Sequence, residues 1–459
     1  MIRSIIILVI QIFVINLSYA QEANIKIISL DEFIRQASNN DTRFEEILLD
    51  KFYLNYKKSL ELPTGDFIFS LKSQHNFLFD PKDDDTENTV SLTKLFPKAG
   101  TEVSLGYTSS LNKTARNMSS EFEFEISQPI AENAFGRNTR LLDKIIGVEI
   151  EVAEFQIIEA YEDYLSSLIQ LYYNWYSAYE NVRTAKNSYS ENMKLLDNIK
   201  ERQKYKIALP VDVNKVSLQA AAKKETLITQ QNQYDQYLNL VKESIRYKAG
   251  QELQPQLPSI YEGVVIDFEP DYIKFNTQSR TAKTLKLLED KSFLEVDKYA
   301  NELLPSINLI TGYSLEGENH GIKNNDQTVY AGISMDWPLP RTVEQARYKS
   351  AKIDLKKAKL SSENIHIRLK TNLKNLNDQI QREKELIAIA WDKINFAQAI
   401  VEDERKNYSL GRVTLNDLID EVNKLEDNKF NKIYHEVQLK RLIVEWLRIT
   451  DNLLQRNVL

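Results

Sequence analysis

The chain has 459 residues, with 59 lysines and arginines against 66 aspartates and glutamates, a formal charge of −7 and no cysteine. The acid excess argues against the basic face that a nucleic-acid partner requires, and without cysteine there is neither a disulfide nor a lipidated N-terminal cysteine. Its twelve glycines and eleven prolines are few and bunched, so the chain reads as very long helices separated by short non-helical blocks.

Residues 1–20, MIRSIIILVIQIFVINLSYA, place Arg3 before an apolar run and end in Ser18-Tyr19-Ala20, a small-x-small cleavage site. This is the pattern of a secretory signal peptide cleaved before Gln21. The apolar run is short for a span of ~20 residues. No other stretch is long and apolar enough to cross as a helix, so any membrane must be entered as β-structure. Residues 21–61 read as helical, with capping boxes starting at Ser29 and Thr42 on either side of SNND.

Residues 62–130 form a first β-segment. Its span from Pro63 to Pro129 is twice that from Pro305 to Pro338, so it carries an insertion around residues 80–112, either strands or a loop. Within it, NTVSLTKLFPKAGTEVSLGY reads as two short strands around a Pro-Lys-Ala-Gly turn. Residues 131–250 form a first helical hairpin, in which Tyr161, Leu168, Trp175, Val182, Tyr189 and Leu196 recur every seventh position. A Pro-containing connector, 251–275, leads to a helix over 276–304 and a second β-hairpin over 305–340. The second helical hairpin, 341–459, repeats the heptad with Leu373, Ile380, Ile387, Ile394, Val401 and Tyr408. Sustained heptads bury a seam against a neighbouring helix.

The two halves match each other. LPTGDFIFS aligns with LPSINLITG, EISQPI with SMDWPL, and YKIALPVDVNKV from Tyr205 with YSLGRVTLNDLI from Tyr408. Each half therefore runs helix, strands, long helix, break, long helix, a duplication that sets the fold class.

The strands alternate in polarity. Phe122, Phe124 and Ile126 oppose Glu121, Glu123 and Glu125, while Val329, Ala331, Ile333 and Met335 oppose Thr328, Tyr330, Gly332 and Ser334. Such alternation suits a membrane β-barrel. Two hairpins, or three with the insertion, supply four to six strands per chain. Closed single-chain barrels start at about eight strands, and an open sheet edge cannot be left in lipid. Several copies must therefore join.

In its opening ISLDEFIRQASNN, its junctions SQPI and WPLP, and its two hairpin tips at Tyr205 and Tyr408, the chain resembles the TolC-type outer-membrane efflux proteins. These are the outer membrane factors of tripartite efflux and type I secretion systems. The resemblance covers essentially all of the mature chain. It implies a mainly α fold with membrane β: a homotrimer whose twelve strands, four from each chain, cross the outer membrane and continue as a periplasmic helical coiled-coil barrel. It further implies a passive, cofactor-free channel opened by docking of a periplasmic adaptor and an inner-membrane pump at its tips.

The resemblance also assigns residues. Tyr408, Gly411, Asp417 and Asp420 match the second tip, whose two aspartates ring the periplasmic entrance, with Asp212 and Asn214 of the first tip as gate partners. Ile207, Ala208 and Leu209, with Leu410, Gly411 and Arg412, match the docking tips. Asp417 also stands three residues after Thr414, where it would cap the returning helix and complement its dipole. This sequence departs from the family at Ala208, where glycine is frequent, at Asn214, where an aspartate is expected, and at Val413, where an arginine is frequent.

No metal or enzyme signature is present: His75, His320, His366 and His435 lack zinc spacing, and there is no G-x-x-x-x-G-K-[ST] loop. Asp83-Asp84-Asp85 reads as a solvated loop. The alternative to a channel is a secreted coiled-coil scaffold without a pore, which accounts for the heptads and the leader but not for the duplicated strand-helix order.

Overall fold

The computed structural model describes residues 25–77, 85–112, 117–248, 250–256, 266–318 and 326–454. The leader, Asp83 and Asp84 lie outside the described residues. The described elements are β1 (Lys26–Ile28), α1 (Leu30–Asn40), α2 (Thr42–Glu61), β2 (Phe67–Asn76), β3 (Asp85–Phe96), β4 (Thr101–Asn112) and β5 (Asn117–Pro129). There follow α3 (Arg137–Lys204), α4 (Pro210–Ser244), β6 (Leu253–Pro255), α5 (Phe268–Gln278), α6 (Arg280–Asn301), β7 (Ser306–Glu318), β8 (Asp326–Asp336), α7 (Thr342–Ser409) and α8 (Leu415–Ile449). The duplication is exact in length: α3 and α7 each hold 68 residues, and α4 and α8 each hold 35.

The chain divides into two compact units. One, Leu48–Ile158 with Asn276–Arg368, contains a six-stranded antiparallel sheet in the order β2-β3-β4-β5-β7-β8. This corrects the strand count implied by the resemblance: among the described residues this sheet holds six strands, not four. The insertion is a full hairpin, β3–β4, because its two alternating runs pair with each other and with both flanking strands.

Register places one face of the sheet in a continuous apolar row. Phe69 pairs with Leu92, Leu92 with Leu105, Leu105 with Phe124 and Phe124 with Tyr313, and Tyr313 with Val329. The opposite face is polar and rich in acid, with Glu87, Glu102, Glu121, Glu123, Glu125 and Glu316. Lys72 is its one cation among the described strand residues. On that face the Tyr330 ring lies across Gly312, where an added Cβ would sit 2.3 Å from the ring, and its hydroxyl reaches Glu123 (2.7 Å) and Glu125 (3.0 Å).

At the end of the sheet, the β3–β4 turn is seated by backbone on the start of α3. Gly136 adopts φ +75°, and a Cβ there would fall 2.4 Å from the Lys98 carbonyl oxygen. Arg140 donates to the same carbonyl at 2.9 Å. In the second half, buried Arg341 plays the related part, donating to the carbonyls of Glu302 (2.7 Å) and Leu304 (3.0 Å) at the C-terminus of α6, where a helix favours a cation. Exposed apolar stripes remain on α2 (Phe52, Tyr53, Tyr56, Leu60) and, at heptad spacing, on α7 (Ile353, Leu360, Ile367).

The other unit, Met1–Ile47 with Glu159–Phe275 and Leu369–Leu459, holds the main core. Leu168, Trp175, Leu196, Leu373, Ile380, Ile394 and Val401 of the two heptad series are buried; the remaining members are half-buried. The connector supplies β6, which pairs in parallel with β1, and the Tyr172 hydroxyl donates to carbonyls of Ile28 and Gln256 beside it, each at 2.8 Å.

Ser29 caps α1, accepting from the Glu32 N–H. The second expected cap is displaced by one residue: Asp41, not Thr42, accepts the Arg43 N–H at 3.1 Å, because Thr42 is already helical. Burial pushes the Asp41 carboxyl up, but hydrogen bonds from Arg43 and Tyr164 outweigh it and hold the group below the usual carboxylate range.

Candidate functional site

The paired breaks in the long helices carry most of the residues singled out in the sequence. The first lies between Lys204 and Pro210, the second between Ser409 and Leu415. Both close as Schellman motifs. Lys206 takes φ 62° and Gly411 φ 71°. The Ile207 N–H donates to the Arg202 carbonyl and the Arg412 N–H to the Asn407 carbonyl, each at 2.9 Å.

This geometry corrects the sequence match between the repeats. By their left-handed positions and their capping carboxylates, Lys206 corresponds to Gly411 and Asp212 to Asp417, so pairing Tyr205 with Tyr408 is out of step by two residues. The left-handed position of the first tip is occupied by a lysine, which gives no glycine signal. Ala208 is not that position: it is 9% exposed and packs with Leu196, Ile199, Val216, Ala220 and Leu415. Its side chain is therefore covered within the chain. Ile207, Leu209 and Leu410 are 64–65% exposed, and Gly411 and Arg412 are exposed as well.

Asp212 and Asp417 do the same work. Each is the third residue of a returning helix, with its carboxylate accepting the N–H of the residue before the helix: Leu209 at 3.1 Å and Thr414 at 2.9 Å. Thr414 also accepts from the Asp417 N–H at 3.3 Å, completing a capping box. The Thr414 hydrogen bonds hold the exposed Asp417 carboxyl below its ordinary value. Asp420 lies one turn on and is exposed, as is Asn214.

Tyr408 joins the two tips. Its half-buried ring packs on the tip cluster and lies under the Arg202 guanidinium, 4.9 Å from the ring centre. Burial pushes its phenol up; Arg202 opposes this and Asp212 adds to it. A cavity of ≈ 290 Å³ beside it is lined by Asn192, Asn198, Arg202, Arg405 and Leu418 among others.

Polar ties that the sequence reading missed hold the hairpins together just behind the tips. Glu426, 5% exposed, forms an ion pair with Lys223 at 2.5 Å and accepts the Ser188 hydroxyl. Gln219 donates to Asn423 at 2.6 Å, and Arg405 pairs with Glu191 at 3.2 Å. The signal was present: Glu426 interrupts the stripe Leu415, Leu418, Val422, Ile433, and Lys223 interrupts Val216, Ala220, Tyr234 at matching depth. A charge on each of two apolar seams points to a pair between them. Among the described residues, no group of three or more His, Asp or Glu side chains is spaced to hold a metal ion.

No protein-family model and no curated protein matches the chain. Solved structures do. CusC, described for its transmembrane channel formation, superposes with a TM-score of 0.70 at 12% identity, over 92% of this chain and 91% of that one. The Campylobacter jejuni CmeC outer membrane channel gives 0.68 at 13%, over 92% and 86%. The open state of the Neisseria gonorrhoeae MtrE outer membrane channel gives 0.70 at 11%, over 94% and 90%. The chain thus has the fold of the TolC-type outer-membrane channels.

Proposed function

We propose that the protein is the outer-membrane exit duct of a tripartite efflux or type I secretion system. It works as a passive homotrimer, with its sheets in the outer membrane and its helical hairpins in the periplasm. The observation that carries this reading is the sheet: apolar on one face, polar on the other, and, among the described residues, unpaired at both edges. Such a sheet is stable in lipid only when further strands close it. The uncovered stripes on α2 and α7 support assembly as well, since apolar surface of this extent marks an interaction face. A pore-free scaffold would leave the apolar face of the sheet in water. The separating experiment is fractionation: heat-modifiable trimers in the outer membrane support the duct, and a soluble periplasmic rod refutes it.

In this reading Asp417 and Asp420 form a ring of carboxylates at the periplasmic entrance, with Asp212, Asn214 and Tyr408 behind them. Like charges brought close attract cations into a constriction. Replacing both Asp417 and Asp420 with asparagine removes the charge while leaving Thr414 to cap the helix start. The expected result in planar bilayers is a weaker block by divalent and trivalent cations; block at wild-type concentrations would sink the ring.

Docking of the adaptor, and through it the pump, is assigned to Ile207, Leu209, Leu410, Gly411 and Arg412. Gly411→Trp places a bulky side chain at a left-handed backbone position and is expected to abolish capture of the cognate adaptor. Gly411→Asn, which tolerates that conformation, should retain it. Capture by both variants would remove the tips from the interface.

A further inference from the structure

We infer that the assembled barrel has eighteen strands rather than twelve, with β8 of each copy pairing to β2 of the next. The inference rests on the homotrimer proposed above and deepens it.

Four observations carry it. First, the β3–β4 hairpin shares the apolar face of the sheet: Val90 and Leu92 on β3, and Val103, Leu105 and Tyr107 on β4, continue the row from β2 to β5 without a break in register. A hairpin folded away from the barrel would have no reason to keep that alternation. Second, its turn is locked to the start of α3 through Gly136 and Arg140, so the hairpin belongs to the junction between sheet and helix.

Third, the bare strands are the two ends of the row. They expose the same apolar face, with Phe69 and Leu71 on β2 and Val329 and Ile333 on β8, each between 69% and 78% exposed. Fourth, the directions fit. Every neighbouring pair in the sheet is antiparallel, so six strands leave β2 and β8 running oppositely, and a second copy extends the sheet in the same sense. Adding strands in pairs also preserves which face is apolar. Through the ladder, Phe69 of β2 stands level with Phe124 of β5, and Leu71 with Phe122. The β3–β4 hairpin is therefore a cassette that widens a barrel without altering its register.

The consequence is a matter of size. With strands ~4.8 Å apart and tilted by ~40°, eighteen strands close around a cylinder about 36 Å across, against about 24 Å for twelve. The cross-section is roughly doubled, so the membrane part of the duct accepts cargo too broad for a twelve-stranded barrel.

The test uses the absence of cysteine. A single Thr328→Cys on the polar face of β8 accepts one spin label per chain in the full-length protein, purified from the outer membrane. Copy number is read by light scattering, and label-to-label distance by pulsed electron resonance. Threefold-related positions are separated by about 31 Å on an eighteen-stranded barrel and about 21 Å on a twelve-stranded one. Three copies with the longer distance support the inference. Three copies with the shorter distance overturn it while leaving the trimer intact. A monomer, a dimer or the absence of any dipolar coupling overturns both.

Discussion

Replacing Glu426 with alanine is expected to destabilise the helical unit by about 3–5 kcal/mol, the loss typical when one partner of a buried ion pair is removed. Lys223 would remain in the seam with its side chain 12% exposed and without the Glu426 carboxylate, and the Ser188 hydroxyl would lose its acceptor. Thermal or denaturant unfolding followed by the helical circular-dichroism signal in detergent measures the loss. The reciprocal control is informative. Removing both charges, as Lys223→Met with Glu426→Leu, should restore most of the stability, because a buried pair exchanged for apolar residues of similar volume is often neutral. A double variant as unstable as the single one would show that the cost arises from packing and not from the stranded ammonium.

The second large effect is expected at the junction of sheet and helix. Gly136→Val would set a β-branched residue at φ +75° and drive its Cβ into the Lys98 carbonyl. The strained backbone alone costs about 1–3 kcal/mol, and forcing extra atoms into a packed site adds about 1–3 kcal/mol. The β3–β4 turn must then lift from α3, and the Arg140 hydrogen bond goes with it. A lower temperature for dissociation of the proposed trimer on semi-native gels is the expected readout, with Gly147→Ala as a neutral comparison because nothing lies within 4 Å of its would-be Cβ. Unchanged dissociation would mean that the turn is free to move.

Much of this was legible in the residues. Heptads such as Leu373, Ile380 and Ile394 identified the buried seam, since a 3.5-residue repeat leaves a helix little choice of face. Strand alternation at Phe122, Phe124 and Ile126 fixed the apolar side of the sheet, because a one-residue slip would reverse it. The Thr414–Asp417 capping box was visible as a motif. The rest depended on conformations that side-chain identity does not announce. Lys206 adopts the left-handed turn that glycine usually marks, so the register between the two tips was misread by two residues. The insertion could be read as strands or as a loop, and only its pairing on both sides decides between them. Ala208 looked like part of an exposed tip because a small residue carries no depth signal of its own. The Lys223–Glu426 pair needed two seams to be placed face to face.

The equal lengths of the corresponding helices, 68 with 68 and 35 with 35, bear on how such a protein can change over generations. Inserting one residue in a single repeat would advance its tip by about 1.5 Å and rotate it by about 100° relative to its sister, parting Arg202 from Tyr408 and Lys223 from Glu426. Substitutions meet no such geometric penalty so long as the seam stays apolar. Inheritance here should therefore keep count of residues far more strictly than it keeps their identity, which is the state of affairs in a chain that overlays 92% of its length on another while sharing 12% of its letters.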